Sequence, residues 1–523
     1  MKVIKIYFLL IFFLYAISSR AQKEKPNLVV AVVVDQMKYE YIDRFWNNFG
    51  ENGFKKLVNK GAFCRNTHYN YIPTYTGPGH ASIFTGTTPS THGIIGNNWY
   101  SREDFSPVYC SGDWNSQTVC LCKTAHVSNN IGNGQMSPNN LLCNTVGDEL
   151  KLNDSISKVF GVSIKDRGAI LSTGALADGA YWLNNNAQWI TSTYYTESLP
   201  DWVIKFENEN PASSYMNTYW KGDDFNYDLS EMVKENGSSA IKATPMGNEL
   251  VFDFAKRLIK EEELGRDKHT DLIVLSFSST DYVGHKFGPN AEETKSTYSA
   301  LDQTIADLLE YLDKRMGENN YLFMLTSDHG AGTSPEIIEK NRLKGGNFNS
   351  NDVKNKLDSV LALKYQTNDL VTRYSNMQFY LDFKLIDSLN LSKKEIYFTI
   401  KEVLLKEPSI KEVYNSEELQ QAFPSYETKM LLNGFHAKRS GDIFLLLNPG
   451  YIEWSLKKGT SHGTHYNYDT HVPLIFYGFQ IKPQQIFKNL YVSDIAPTLS
   501  ILLKIGFPNA CIGHPITCIL SGE

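Results

Sequence analysis

Five apolar runs form the strongest pattern in this chain of 523 residues. Each run holds at least four apolar residues in succession and leads into a segment with polar residues or glycine. Runs of this kind are typical of strands that are buried on both faces of a parallel sheet. They occupy residues 28–34, 271–277, 321–327, 443–447 and 472–477, and a shorter run at 159–164 predicts a further strand.

Helical spacing of apolar residues separates several of these runs. It predicts helices within 39–58, 293–315 and 494–503. Alternation of strands and helices predicts an α/β fold, with a mostly parallel central sheet that carries helices on both faces.

Three polar segments, rich in Asn, Tyr and Lys, fit the alternating pattern poorly. They lie at roughly 98–160, 184–245 and 336–440, and we interpret them as insertions that cap a single domain spanning residues 22–523. A separate C-terminal domain from about residue 336 is the alternative. The return of strand-like runs at 443 and 472 argues against that alternative.

The first 21 residues have the pattern of a secretory signal peptide. Lys2 and Lys5 precede twelve apolar residues at 6–17, and Ser19-Arg20-Ala21 offers a cleavage site. We therefore expect export to the periplasm or secretion, with no membrane association after cleavage. An uncleaved N-terminal anchor is the alternative, although the run is shorter than the roughly 20 residues that span a bilayer.

Charge and cysteine content narrow the possible partners. Loss of residues 1–21 removes three basic residues and takes the formal net charge from −6 to −9. This balance argues against a nucleic-acid polymer as partner. The seven cysteines favour disulfides over a zinc ribbon, with Cys511–Cys518 as the first candidate pair and at least one thiol left over.

The segment 72–80, Ile-Pro-Thr-Tyr-Thr-Gly-Pro-Gly-His, predicts a loop that leads into a helix at 81–86. Unpaired N–H groups and the positive end of the helix dipole make such a junction suitable for a phosphate or sulfate group. Thr74 and Thr76 both supply a hydroxyl there.

Metal-type ligands follow three of the predicted strands. Asp35 follows the first, Asp281 with His285 the second, and Asp328 with His329 the third. Ligands collect at the carboxyl ends of strands in an open α/β sheet, and carboxylates with imidazoles suit zinc or a similar divalent ion. Each group alone has a structural alternative, such as a helix cap for Asp35.

A histidine-rich segment at 461–471 could complete a second metal site. His462, which precedes a glycine, is the preferred ligand. We interpret His465 and His471 as structural, and Asp469 as a group that orients a neighbour.

The combination of these motifs resembles the alkaline phosphatase superfamily, and within it the PafA-type alkaline phosphatases. The matching segments stand in the family's order and lie at 34–37, 73–80, 85–98, 165–168, 281–285, 327–330 and 461–463.

The resemblance implies two zinc ions and a threonine nucleophile. One ion would be held by Asp35, Asp328 and His329 together with Thr76, and the other by Asp281, His285 and His462. Asn97, Lys165 and Arg167 would bind the phosphoryl oxygens.

The activity implied is hydrolysis of small phosphate monoesters with broad specificity, through a phosphothreonine at Thr76. Two cations, Lys165 and Arg167, favour a monoester, because a monoester presents three non-bridging oxygens and a diester only two. A phosphodiesterase or nucleotide pyrophosphatase of the same superfamily is the alternative. A binding module without activity would have lost a ligand, and all six Asp and His positions are filled. A monomer is plausible.

Overall fold

The computed structural model of the protein describes residues 24–121, 134–454 and 456–521. The predicted signal peptide at 1–21 lies outside these residues. Across the described ranges, no helix combines the length and apolar character needed to cross a membrane.

The strands are short, and most are separated by helices. Their bounds are Leu28–Val34 (β1), Ala62–His68 (β2), Asn98–Tyr100 (β3), Pro107–Tyr109 (β4), Thr118–Val119 (β5), Val159–Ser163 (β6), Gly179–Leu183 (β7), Trp189–Ser192 (β8), Tyr219–Lys221 (β9), Asn226–Asp228 (β10), Asp271–Phe277 (β11), Tyr321–Thr326 (β12), Gly346–Phe348 (β13), Val371–Ser375 (β14), Gln378–Leu381 (β15), Ile410–Asn415 (β16), Ile443–Leu447 (β17), Tyr451–Glu453 (β18), His471–Gly478 (β19), Gln484–Ile486 (β20) and Leu490–Tyr491 (β21).

The helices range from single turns to one of 25 residues. The α-helices span Glu40–Arg44, Phe54–Lys60, Thr76–Thr85, Pro89–His92, Val146–Asn153, Asp166–Thr173, Asp201–Glu209, Ala212–Tyr215, Leu229–Asn236, Met246–Glu261, Ser279–Phe287, Glu292–Met316, Pro335–Lys340, Ser350–Tyr365, Phe383–Ser388, Lys393–Leu404, Ser416–Gln421, Tyr426–Gly434, Asn467–Thr470, Ile495–Leu503 and Cys518–Ser521. Short 3₁₀ helices span Trp46–Asn48, Ser238–Ala243, Glu318–Asn320 and Val492–Asp494.

An 11-stranded sheet forms the centre of the molecule. Its order is β20-β2-β19-β12-β1-β11-β6-β7-β8-β5, with β21 beside β2. β1 pairs in parallel with β11 and β12, and β11 in parallel with β6. Alternate residues of β1 enter separate apolar cores on the two faces of the sheet. The predicted α/β class, with a mostly parallel sheet covered on both faces, is confirmed.

The prediction for residues 443–447 is wrong in one respect. This run does form a buried strand, β17, but β17 belongs to a four-stranded sheet of order β14-β15-β17-β16. Its neighbours β15 and β16 run antiparallel to it. A short apolar run does not show which sheet it joins, because both environments bury the strand on two faces.

The helical stretch predicted within 39–58 is interrupted. Helices at Glu40–Arg44 and Phe54–Lys60 are separated by a turn around Gly50 and Gly53. The carboxylate of Asp302 accepts the Gly50 and Phe54 N–H groups at 2.7 and 2.6 Å. A tertiary contact thus stabilises the break. The predicted helices within 293–315 and 494–503 are confirmed as Glu292–Met316 and Ile495–Leu503.

The predicted Cys511–Cys518 disulfide is wrong, because both cysteines are free thiols. They face different neighbours. Cys511 lies against Gly86, whereas Cys518 packs on the apolar cluster that contains Cys64. Cys120 is disulfide-bonded.

Candidate active site

Thr76 is the first residue of the helix Thr76–Thr85, which begins five residues earlier than the sequence predicts. Gly79 allows this helix to lie against the segment that carries Asp328, since a Cβ there would be 2.4 Å from the Asp328 carbonyl oxygen. The buried Thr76 hydroxyl therefore stands at the positive end of the helix dipole. Thr74 is engaged elsewhere, because its hydroxyl donates to the Thr464 carbonyl at 3.1 Å.

Asn97 lies beside the start of this helix. Its Oδ1 accepts the N–H of Gly77 at 2.8 Å, and its own carbonyl accepts the N–H of Cys110 at 3.0 Å. With the amide oxygen bound to the backbone, the amide NH₂ group is free to donate into the cleft.

The register of the central strands brings the acidic residues together. Val34 of β1 aligns with Phe277 of β11, and Val33 aligns with Thr326 of β12. The three strands thus end side by side, and the segments that follow them carry Asp35, Asp281 and Asp328. All three carboxylates are buried.

Asp281, His285 and His462 form the first group that could hold a metal ion. Asp281 and His285 are four residues apart in the helix Ser279–Phe287, so they share one face. Nε2 of His285 lies 3.0 Å from Asp281 Oδ1, and Nε2 of His462 lies 3.8 Å from the same atom.

Backbone carbonyls fix the orientation of these two imidazoles. His285 Nδ1 lies 2.7 Å from the Thr460 carbonyl, and His462 Nδ1 lies 2.7 Å from the Thr74 carbonyl. A proton on each Nδ1 leaves each Nε2 lone pair directed at the group, as in metal-binding histidines. Burial and the neighbouring imidazoles of His329 and His285 hold the pKa of His462 well below its usual range.

Asp35, Asp281 and His329 form a second group, to which Asp328 is adjacent. Nε2 of His329 lies 3.5 Å from Asp35 Oδ1 and 3.5 Å from Asp328 Oδ2. The His329 and His462 rings stack at 3.5 Å, so the two groups are contiguous. Burial lowers the pKa of His329 to about 3, which keeps the ring neutral and able to coordinate.

Several buried polar atoms in the second group lack a hydrogen-bond partner among the described residues. They are Asp35 Oδ1, Asp328 Oδ2 and His329 Nε2. Burial and the nearby carboxylate of Asp35 raise the pKa of Asp328 well above its usual range. Unpaired buried carboxylate and imidazole atoms are costly unless a cation satisfies them, so this donor set fits a divalent metal ion.

Lys165 and Arg167 flank the start of the helix Asp166–Thr173. The Lys165 ammonium lies 2.7 Å from Asp35 Oδ2 and 2.6 Å from Asp281 Oδ2, so it contacts both ligand groups. The guanidinium of Arg167 donates through Nη1 to the Tyr109 hydroxyl at 3.1 Å, while its buried Nε has no partner among the described residues.

The other residues of the 461–471 segment lie outside the two groups. Asp469 accepts the N–H and the hydroxyl of Thr464 at 2.8 and 2.5 Å. His471 stacks between Tyr39 and His68, with centroids 4.1 and 4.4 Å away. His465 is buried against Tyr466.

Sequence reasoning missed Gln36, which contacts both ligand groups. Its backbone N–H donates to Asp328 Oδ1 at 3.1 Å, and its side-chain NH₂ donates to Asp281 Oδ1 at 2.6 Å. Gln36 has a left-handed φ of 63°, unusual for a residue other than glycine. The sequence signal was its position directly after a strand end and Asp35.

Tyr109, in the segment interpreted as an insertion, was also missed. Its hydroxyl donates to Asp166 Oδ1 at 2.6 Å and accepts from Arg167. Ser111 donates to the same carboxylate oxygen at 2.9 Å. No local motif marks a residue that supports a cation more than 50 positions away.

One cleft of about 800 Å³ opens beside the start of the Thr76–Thr85 helix. Thr76, Asn97, Lys165 and Arg167 line it together with Asp281, His285 and His462. A threonine hydroxyl at a helix start, two cations and one ligand group thus line a single space, and the second ligand group adjoins the first. This arrangement suits phosphoryl transfer.

Comparison with known proteins shows the family to which the chain belongs. The family model of type I phosphodiesterases and nucleotide pyrophosphatases matches residues 29–467. The chain is 38% identical to a protein from Elizabethkingia meningoseptica named alkaline phosphatase PafA, covering 95% of each chain. It is also 38% identical to a protein from Myroides odoratus named calcium-transporting ATPase, covering 97% of this chain and 96% of that one.

A solved structure agrees with the sequence relatives. The crystal structure of wild-type alkaline phosphatase PafA superposes with a TM-score of 0.89 at 37% identity, covering 95% of this chain and 99% of that one. The chain belongs to the alkaline phosphatase superfamily and, within it, to the PafA-type alkaline phosphatases.

Proposed function

We propose that this phosphatase is an exported, zinc-dependent phosphomonoesterase that acts through a phosphothreonine at Thr76. The observation that carries the proposal is the convergence of the Thr76 hydroxyl, two cations and one ligand group on one cleft, with the second ligand group directly behind it. Small phosphate esters of many alcohols are the proposed substrates, because the cleft is open and its charged residues surround the phosphoryl end.

Two divalent ions, expected to be zinc, complete the proposed site. Asp35, Asp328 and His329 with the Thr76 hydroxyl would hold one, and Asp281, His285 and His462 the other. When bound, such a pair of ions activates the attacking oxygen and neutralises the leaving oxygen of an in-line displacement.

The chain itself positions the phosphoryl group and supplies the nucleophile. The Thr76 hydroxyl gives up its proton and Oγ1 attacks phosphorus, so an O–P bond forms to threonine. The bond from phosphorus to the ester oxygen breaks, and that oxygen takes up a proton and leaves as the alcohol. Asn97, Lys165 and Arg167 donate to the non-bridging oxygens, and the two cations balance the charge of these oxygens in the transition state. Water then cleaves the phosphothreonine, which regenerates Thr76 and releases inorganic phosphate.

A phosphodiesterase is the second candidate, because the matching family model describes phosphodiesterases and nucleotide pyrophosphatases. Lys165 and Arg167 favour the monoester, since two cations beside one phosphoryl group match its greater charge.

Substitution of the two cations tests this choice. We expect K165A and R167A each to lower kcat/KM for an aryl monophosphate about 10²–10³-fold, as loss of a transition-state donor does. A methyl aryl diester with the same leaving group should lose less, so the monoester-to-diester ratio falls. The control is K158A, whose ammonium donates to the Glu262 carbonyl outside the cleft. Equal losses for both esters would favour the phosphodiesterase.

Tyr109 offers a test of how Arg167 is held. Y109F removes the hydroxyl that accepts from the Arg167 guanidinium, so we expect kcat/KM for a monoester to fall about 10-fold or more. In an R167A background the same change should have little further effect. Y194F is the control, since the Tyr194 hydroxyl donates to the Ala175 carbonyl away from the cleft. Additive losses would show that Tyr109 acts independently of Arg167.

Export and domain organisation remain proposals from the sequence. We propose that the signal peptide is cleaved after Ala21 and that residues 22–523 form a single domain. The mature protein would be released into the periplasm or the medium, and a monomer is the proposed state. Intact-mass analysis of the exported protein should give a chain that begins at Gln22. Retention of residues 1–21 on a membrane-bound form would contradict this.

A further inference from the structure

Trp454 lines the cleft and is a bulky residue in an unusual backbone conformation. It follows β18 with a φ of 88°, in the left-handed region that side chains other than glycine rarely adopt. Its indole is nonetheless 52% exposed, so burial of the ring does not explain the strained conformation. Strain of this kind in a functional cleft points to a role for the side chain.

The backbone before Trp454 is fixed to the segment that carries the nucleophile. The buried carboxylate of Glu453 accepts the Tyr75 hydroxyl at 2.9 Å, and Tyr75 directly precedes Thr76. The Trp454 N–H donates to the Phe348 carbonyl at 3.2 Å, which continues the pairing of β18 with β13. The backbone that carries the indole is therefore held in place relative to the Tyr75-Thr76 segment.

The Trp454 indole lies on the side of the cleft where the alcohol leaves in the proposed mechanism. The indole centroid lies 5.0 Å from that of the His285 ring, at an angle of 42°. His285 belongs to the group on the leaving-oxygen side in the proposed mechanism, opposite the Thr76 oxygen. The same cleft is lined by Thr76, Arg167 and Trp454.

We propose that the Trp454 indole is the surface on which an aromatic organic group of the substrate stacks. Phosphate esters of aryl or heteroaryl alcohols would then be the preferred class of monoester. Offset or edge contacts between aromatic rings add to the burial of apolar area, whereas an alkyl group gains only the burial. This inference rests on the proposed function, since it assigns the leaving side from that mechanism.

Inhibition by phosphonates tests the stacking without any chemical step. Phenylphosphonate and methylphosphonate carry the same anionic group and differ in the organic group. We expect W454L to raise the inhibition constant of phenylphosphonate about 3- to 10-fold and to leave that of methylphosphonate unchanged. W454F, which keeps an aromatic ring, should retain most of the preference.

Kinetics on two substrates provide the second measurement. Phenyl phosphate is compared with an alkyl phosphate whose alcohol is made equally acidic by fluorination, so that leaving-group chemistry is matched. W454L should lower kcat/KM for the phenyl ester alone. The control is W114L, because Trp114 is 63% exposed and does not line the cleft.

Equal losses for aryl and alkyl ligands, no loss for either, or the same loss in W114L would each overturn the stacking role. Failure of the proposed function is distinguishable, since it would appear as a fully active T76A variant with the phosphonate preference intact.

Discussion

The T76A variant is expected to lose at least about 10³-fold in kcat for a simple phosphate monoester, as loss of a catalytic nucleophile does. Thr76 is the hydroxyl at the start of the helix that borders the cleft, with both ligand groups nearby. Alanine removes the oxygen that forms the covalent bond to phosphorus, yet leaves the helix and the phosphate-binding groups in place. Steady-state rates and metal content should be measured on the same preparations.

T74A is the matched control for this substitution. Thr74 is equally buried and lies two residues away, but its hydroxyl donates to the Thr464 carbonyl. Its loss should cost stability, about 1 kcal/mol, and only a small part of the rate. T76S keeps a hydroxyl and should retain much of the activity. A T76A variant with full activity would remove Thr76 from the mechanism.

Removal of the metal ions should have an effect of similar size. A chelator is expected to lower monoester hydrolysis at least about 10³-fold, and zinc should restore it, because the Thr76 hydroxyl is a weak nucleophile without coordination. H462A should bind less metal than the parent protein, since Nε2 of His462 is directed at the Asp281 group.

His465 provides the control for H462A. It is a buried histidine three residues along the same segment, and it packs against Tyr466 outside both ligand groups. H465A should keep its full metal content. If H465A lost metal and H462A did not, the choice of ligand would be wrong; full activity after exhaustive removal of metal would contradict the role of the ions.

Much of the fold was predictable because buried parallel strands leave a clear pattern. β1, β11 and β12 are short apolar runs, as burial on both faces of a parallel sheet requires, and they do pair in one sheet. Residues that directly follow such strands must lie near one edge. Asp35 and Asp328 could therefore be expected in one neighbourhood from sequence alone.

The predictions from sequence were wrong where contacts between distant residues decide the structure and the local pattern of apolar residues does not. The Asp302 carboxylate stabilises a break that helical spacing does not reveal. The strand Ile443–Leu447 pairs within a second sheet that its composition could not specify. Tyr109 acts through a hydrogen bond to a residue far along the chain, for which a single sequence carries no signal, whereas Gln36 was marked only by its position after Asp35.

The ratio of kcat/KM for an aryl monophosphate to that for a diester with the same leaving group tests the central claim most directly. It should be measured on the wild-type protein after its metal content has been determined. The proposed mechanism predicts about two divalent ions per chain and a ratio well above one. A ratio below one in the fully loaded protein would contradict it and identify a phosphodiesterase.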